Sequence, residues 1–175
     1  MTHIVFLRGI NVGGHKKIKM ADLRERLLAI GFVNVQTYIQ SGNIVLNTTK
    51  TKNEIAALIK KDLHEGFGFD VPVLVMAAEE IEAILKHNPF ASEAISKNLY
   101  FALLHNAPEP ENNGRLKAAD YPNEAFEITD NCVYLNCKIG AGKAKLSNNV
   151  IEQKLMVTAT TRNLRTLQKM VELAR

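Results

Sequence analysis

The chain has 175 residues, of which 46% are apolar and 23% charged, and its net charge is +4. This composition excludes a disordered chain and is sufficient for one large domain or two small ones. The longest apolar runs fall well short of the roughly 20 residues of a membrane span. Residues 1–9 have the pattern of a strand and not of a signal peptide, so we expect a cytoplasmic protein with no membrane partner.

The first half of the chain has the apolar pattern of a βαββαβ unit. Residues 3–9 predict a buried strand, and residues 20–32 predict a helix that ends at Gly31. Two strands joined by the tight turn QSGN follow. A capping box of Thr51 and Glu54 predicts the start of a second helix, and VPVLVMA predicts a fourth strand.

The second half repeats this order without a visible sequence repeat. After a helix EEIEAILKH, the predicted elements are the strand LYFALLH, a helix near 110–119, the strands AFEIT and CVYLNC, and helices at 148–156 and 162–174. This order is βαββα. We therefore predict an α+β fold of two tandem ferredoxin-like (βαββαβ-type) halves, residues 1–77 and 78–175, packed into one compact unit.

Three of the predicted strands, HIVFL, VLVM and YFALL, are apolar on both faces. Helices cover only one face of a ferredoxin-like sheet, so the second faces must also be buried. Packing of the two halves against each other would bury them, and so would a homodimer. The sequence does not choose between these alternatives.

The segment LRGINVGGHKKIKM, residues 7–20, connects the first strand to the first helix. Backbone amides of a glycine-rich turn before a helix attract anions, and the helix dipole adds to the attraction. The glycines at 9 and 14 have P-loop spacing, but His15 and Lys16 occupy the positions of Lys and Ser/Thr, which disfavours a Walker mechanism. The predicted anion-binding residues of this loop are Arg8, Gly9, Asn11, Gly13, Gly14 and Lys16. The alternative is a loop whose glycines serve only to turn the chain.

The turn QSGN is predicted to lie beside this loop. In a βαββαβ unit the first two strands run parallel, so the loop at 8–19, the QSGN turn and residues 65–70 emerge at one end of the sheet. Ser41 and Asn43 therefore join the predicted anion site. The alternative is ordinary hairpin chemistry, which needs only the glycine and asparagine of the turn.

The ends of the chain are basic and its middle is acidic. Residues 1–31 carry six Lys/Arg against two Asp/Glu, and residues 138–175 carry eight against two. Within TATTRN, Thr160 or Thr161 is predicted to cap the last helix with Arg162 in its first turn. An arginine there has the wrong sign for the helix dipole, so we expect Arg162 to face an anion or an acidic side chain.

The sequence has no recognised catalytic motif, so enzymatic activity is left uncertain. His15 and Ser41 are the candidates for proton transfer near the predicted site. Cys132 and Cys137 are five residues apart in a strand-like run, without metal-ligand spacing. We therefore predict no disulfide, no metal site and no cofactor.

Four motifs, LRGINVGG, MADLR, TYIQSGN and TTRNLRT, together resemble the bacterial family called domain of unknown function 1697. The resemblance extends over essentially the whole chain. It implies a two-part ferredoxin-like α+β fold and brings no activity, substrate or catalytic residue. One departure is Leu164, because the position after TTRN is commonly aromatic in the family.

The leading functional hypothesis is a binding protein for a phosphorylated or other anionic, nucleotide-like ligand at the glycine-rich loop. A second is nucleic-acid backbone binding through the basic ends. Base stacking is disfavoured, because only 6% of the chain is aromatic and the strand NIVLNT has no aromatic residue. A third is a structural or dimerisation protein without a ligand.

Overall fold

The computed structural model of the protein describes residues 1–92 and 95–175. The chain divides into two units. The first comprises Met1–Ala83 and Gln168–Arg175, and the second comprises Ile84–Leu167. The sequence predicts a boundary between residues 77 and 78, whereas the observed division lies after Ala83 and also assigns the last eight residues to the first unit.

The first unit is built on a four-stranded antiparallel sheet. Its strands are β1 (Thr2–Leu7), β2 (Val33–Tyr38), β3 (Asn43–Asn47) and β4 (Val73–Met76), in the order β2-β3-β1-β4. The helices of this part of the chain are α1 (Met20–Ala29), α2 (Lys52–Phe67) and α3 (Ala78–Lys86). The predicted βαββαβ order of elements is confirmed.

Local sequence determines both ends of α2. The Thr51 hydroxyl accepts a hydrogen bond from the Glu54 N–H, and the Glu54 carboxylate accepts one from the Thr51 N–H at 2.8 Å, which confirms the predicted capping box. At the other end Gly68 has a φ of 72°, the left-handed conformation that glycine adopts without steric cost.

Helices α1 and α2 pack on one face of this sheet. Their buried side chains join those of the strands in one apolar core, whose members include Val5, Leu7, Leu23, Leu27, Ile44, Leu46, Ile55, Ile59 and Leu63. These strand residues alternate with others because side chains of a strand point to opposite faces in turn. On the opposite face of β1, Ile4 and Phe6 are fully buried as well.

The second unit contains a four-stranded antiparallel sheet of its own. Its strands are β5 (Leu99–Leu104), β6 (Glu124–Ile128), β7 (Cys132–Cys137) and β8 (Ala159–Asn163), in the order β6-β7-β5-β8. The helices of this part of the chain are α4 (Pro110–Lys117), α5 (Asn148–Leu155) and α6 (Leu164–Ala174). In the parts of the chain that the structure describes, no helix combines the length and the apolar character needed to cross a lipid bilayer.

Strand β8 corrects the prediction made for TATTRN. Thr160 and Thr161 do not cap a helix, because they pair with β5 in an antiparallel ladder. The cap of α6 is Asn163, whose Oδ1 accepts a hydrogen bond from the Thr166 N–H at 2.8 Å. Adjacent β-branched threonines favour extended backbone, which explains the strand. Arg162 therefore lies in a strand, and the helix-dipole argument for its role is wrong.

Both cysteines are buried in β7 and unpaired. Burial raises the pKa of the Cys137 thiol to about 11, and the nearby Glu124 carboxylate adds to the increase. Burial also raises the pKa of the Cys132 thiol. The two thiols therefore stay protonated at neutral pH and serve as small apolar side chains.

Candidate functional site

The connection from β1 to α1 meets the turn between β2 and β3 at one end of the first sheet. The Asn11 Nδ2 group donates a hydrogen bond to the Gln40 carbonyl oxygen at 2.7 Å. Because β1 pairs antiparallel with β3, the turn before β3 must lie where β1 ends. The predicted proximity of the two segments is confirmed. We call residues 8–19 together with 39–43 the glycine rim.

A small β-hairpin forms the tip of the glycine rim. The His15 N–H donates to the Val12 carbonyl oxygen at 3.0 Å, and the two residues form an antiparallel bridge. Between them Gly13 and Gly14 have φ angles of 58° and 79°. Left-handed backbone at both central positions is what a type I′ hairpin turn requires, and Gly-Gly is one of the residue pairs that favour it.

The main-chain N–H groups of Gly13 and Gly14 are available to a ligand. Among the described residues, neither N–H donates a hydrogen bond to another group. The two glycines also lie well before Met20, where α1 begins. Their N–H groups are therefore not among those of the first turn of α1.

Asn11 has a structural role in the glycine rim. Its Nδ2 group donates to the carbonyl oxygens of Ile18, at 2.9 Å, and of Gln40. Its Oδ1 atom accepts a hydrogen bond from the Ile18 N–H at 2.8 Å. Both amide donors of the side chain are therefore used by the main chain. These hydrogen bonds hold the loop in place.

Asn43 also stabilises the rim from within. It is fully buried, and its Nδ2 group donates to the Tyr38 carbonyl oxygen at 3.0 Å and to the Ser41 hydroxyl at 2.9 Å. The prediction that Asn43 contributes to an exposed binding surface is therefore wrong. Hydrogen bonding across the turn explains why an asparagine is needed there.

Gly42 makes the closest approach in the rim. Its φ is 77°, and a Cβ atom at this position would lie 2.6 Å from the Leu7 Cβ and 3.0 Å from the Ile10 Cδ1. No real pair of carbon atoms packs at the first distance. The turn can contact the end of β1 only because residue 42 lacks a side chain.

Arg8, Gly9 and Lys16 are the remaining predicted residues of the first loop. Arg8 is half-buried, and its N–H donates to the Pro72 carbonyl oxygen at 3.0 Å. Gly9 has a φ of 75°. The Lys16 ammonium donates to the Asp70 carbonyl oxygen, which confirms that residues 65–70 reach the same end of the sheet.

Backbone strain is concentrated at the glycine rim. Of five described non-glycine residues with positive φ, three lie here: Asn11 at 54°, Lys16 at 46° and Ile39 at 49°. A β-branched residue such as Ile39 rarely adopts this conformation. Strained residues cluster at binding and catalytic sites more often than elsewhere, so their position agrees with a functional assignment for the rim.

Arg162 belongs to the second unit. It stands opposite Phe101 in the ladder between β8 and β5, and its Nη1 group donates to the Thr161 carbonyl oxygen at 2.9 Å. Arg162 is thus part of strand β8, and the glycine rim contains no residue of that strand.

The second unit contains a polar pair that the sequence did not indicate. The Thr160 Oγ1 and His105 Nε2 atoms are 3.5 Å apart. Burial lowers the pKa of His105, and the Glu152 carboxylate opposes that effect. Thr160 is fully buried, so its hydroxyl is out of reach of a substrate and the pair has a structural role. Among the described residues no three candidate metal ligands are grouped closely enough to hold an ion.

Comparison with known proteins gives a family and a fold. The model of the family described as "Protein of unknown function (DUF1697)" matches residues 1–134. No curated protein matches the chain. A solved structure, that of the conserved bacterial protein SP0830 from Streptococcus pneumoniae, is similar with a TM-score of 0.75 and 20% sequence identity, over 99% of this chain and 98% of that one. At this identity the likeness shows the fold alone.

Proposed function

We propose a function for a chain that belongs to the DUF1697 family of proteins of unknown function: it binds a phosphorylated or otherwise anionic ligand at the glycine rim. The observation that carries the proposal is the pair of Gly13 and Gly14 amides, which have no partner among the described residues. Successive main-chain N–H groups in a turn are a recurring anion-binding arrangement.

Two lysines follow these amides closely in the chain. Lys17 is exposed beside the turn, and Lys16 is anchored to the Asp70 carbonyl oxygen. A phosphate oxygen accepts hydrogen bonds from amides and ammonium groups together, and charge makes the latter the stronger. The proposed ligand groups are therefore Gly13, Gly14, Lys16 and Lys17, while Asn11 and Asn43 hold the loop in its conformation.

A nucleic-acid backbone is a second candidate ligand, and the exposure of the hairpin favours it. Val12 is 63% exposed, and residues 13–15 are exposed as well. A protruding basic tip can contact successive phosphates of an extended chain, whereas a small molecule usually binds in a concavity.

We also infer the ferredoxin-like arrangement for each unit. It is supported by the βαββαβ order of elements and by sheet orders that correspond strand for strand, β2-β3-β1-β4 and β6-β7-β5-β8. A cytoplasmic location is supported by the two unpaired cysteine thiols, since disulfides are rare in reducing compartments.

Thermal unfolding with pyrophosphate, ATP and a short single-stranded oligonucleotide tests the proposal. A ligand at 100 times its dissociation constant should stabilise the protein by about 2.7 kcal/mol. The double variant Lys16→Ala/Lys17→Ala should lose this stabilisation. For a nucleic-acid ligand, the salt dependence of binding should also fall by about one for each lysine removed.

The matched control uses the other glycine- and lysine-containing loop of the chain, GAGKAK. Lys143 and Lys145 are exposed there, so the variant Lys143→Ala/Lys145→Ala removes the same charge without touching the glycine rim. It should bind as the unmodified protein does. Equal losses in both variants would reduce the effect to net charge, and the absence of binding by any of the three probes would refute the proposal. The remaining alternative would then be a structural or homodimeric protein.

A further inference from the structure

A buried imidazole without a partner lies at the opposite end of β1. His3 is only 7% exposed, and within residues 1–92 and 95–175 neither ring nitrogen has a hydrogen-bond partner. A histidine ring always presents a donor together with an acceptor or a second donor. Buried polar groups in folded proteins are nearly always paired, so this ring is expected to have a partner from outside the chain.

His3 lines a cavity of about 570 Å³ in the first unit. Its side chain is on the same face of β1 as Val5 and Leu7, the face that α1 and α2 cover. The other walls come from residues 49–52, which lead into α2, and from residues 77–79, which lead into α3. A volume of this size lies within the roughly 300–1,000 Å³ of small-molecule sites.

The charges around the cavity favour an anion. Lys50 and Lys52 line it, and Glu79 is the only acid among the described lining residues. The Lys52 ammonium is ion-paired with the Glu80 carboxylate, so Lys50 is the lining lysine that is left for a ligand. Burial lowers the pKa of His3, and the positive charges of the amino terminus and of Lys52 lower it further. The same positive potential that disfavours an imidazolium attracts a negative ligand.

Two helices begin at this cavity. The first residue of α2 is Lys52 and that of α3 is Ala78, and both line it. The N-terminus of a helix carries partial positive charge. At these two ends the Thr51 and Ala77 N–H groups already donate to the Glu54 and Glu80 carboxylates. Two helix ends, Lys50 and an unpartnered imidazole therefore border one partly open cavity.

We propose that this cavity is a second binding site, for a small molecule whose anionic oxygen group accepts a hydrogen bond from His3. The neutral ring donates through one nitrogen to the anion, and its other nitrogen accepts from a hydroxyl or amino group of the same molecule. Lys50 and the first turns of α2 and α3 supply the positive field. This site uses no residue of the glycine rim, so it stands or falls independently of the function proposed there.

The direct test observes the His3 ring in the unmodified protein by ¹⁵N NMR, with inorganic phosphate and with acetate as probes. The expected result is a saturable change at the His3 nitrogens with at least one probe, together with a rise in the pKa of His3, because a bound anion stabilises the imidazolium. The resonances of His105 should not follow. A response to phosphate alone would identify a phosphorylated ligand class, and a response to both would extend it to carboxylates. No change at His3 with either probe would overturn the proposal.

Charge variants add a second readout that does not depend on removing His3. Lys50→Gln should weaken, and Glu79→Gln should strengthen, the affinity for the responding probe by roughly two- to fivefold each, the effect of one partly exposed charge. Lys60→Gln removes an exposed lysine elsewhere on α2 and serves as the control. An affinity unchanged by both variants, or changed equally by the control, would contradict the assignment.

Discussion

The two units connect their first strand to their first helix in different ways. In the first unit the connection is residues 8–19, with three glycines and a basic hairpin, whereas in the second it is residues 105–109, HNAPE, which contain neither glycine nor lysine. Both connections occupy the same position in the same order of elements. Five residues are therefore sufficient to turn this corner, and the twelve-residue version must be explained by something other than chain reversal.

The chemistry of the two connections differs as well. The second ends at Glu109, and α4 begins with Pro110 and carries Glu111 in its first turn. The first carries Lys16, Lys17 and Lys19 before α1. An anion would be repelled at one position and attracted at the other. The second unit thus serves as an internal control for every experiment on the glycine rim.

The largest effect is expected where the rim contacts the core. Gly42→Ala should lower the free energy of unfolding by about 2–5 kcal/mol, because it adds overpacking to left-handed strain. Gly68→Ala, at a φ of 72° with nothing within 4 Å of the new Cβ, isolates the strain and should cost about 1 kcal/mol. Urea denaturation measures both. Equal losses would show that the close approach to Leu7 has no energetic consequence.

A smaller effect should distinguish the two connections directly. Asn11→Gly keeps the left-handed backbone possible and removes the hydrogen bonds to Ile18 and Gln40, so it should destabilise the protein by about 1–3 kcal/mol. Asn106→Gly makes the same substitution at an exposed position of the second connection and should cost at most about 1 kcal/mol. If the two variants denature at the same urea concentration, Asn11 does not hold the rim together.

The amount of this structure that the sequence predicts depends on how local the cause is. The capping box of Thr51 and Glu54 is complete within four residues, and it was predicted correctly. One hydrogen bond of Asn11 is made to Gln40, which is distant in sequence. The sequence does not reveal such a partner, so Asn11 was predicted to bind a ligand. Threonine favours both helix caps and strands, and only pairing with β5 decides that Thr160 is in a strand.

His3 had no sequence signal at all. Its lack of a partner results from three separate segments, β1 and the starts of α2 and α3, which enclose a cavity only in the folded chain. The rim was found because glycine and lysine are visible in one short segment. A site built from a single histidine and the ends of distant helices leaves no such pattern in any one segment of the sequence.

Each unit should contribute a modest pH dependence through one histidine. The pKa of His3 and that of His105 are both lowered in the folded state, in each case chiefly by burial. In the unfolded chain the pKa of a histidine is about 6.5, so below that pH the unfolded chain binds more protons than the folded protein does. The free energy of unfolding should therefore fall as the pH drops through that value. His3→Leu and His105→Leu should each flatten part of this decline in urea denaturation between about pH 7.5 and pH 5. If the loss of stability with falling pH is unchanged in both variants, titratable groups other than these two histidines cause it.

The central claim, that the glycine rim of the first unit binds anions, is tested most directly by following backbone amides in a ¹H–¹⁵N NMR titration with pyrophosphate. We expect the amides of Gly13 and Gly14 to show the largest changes, with saturation, while those of residues 105–109 stay unchanged. If the Gly13 and Gly14 amides do not move while pyrophosphate is bound elsewhere, or if no amide moves, the hairpin is not an anion site and the claim is wrong.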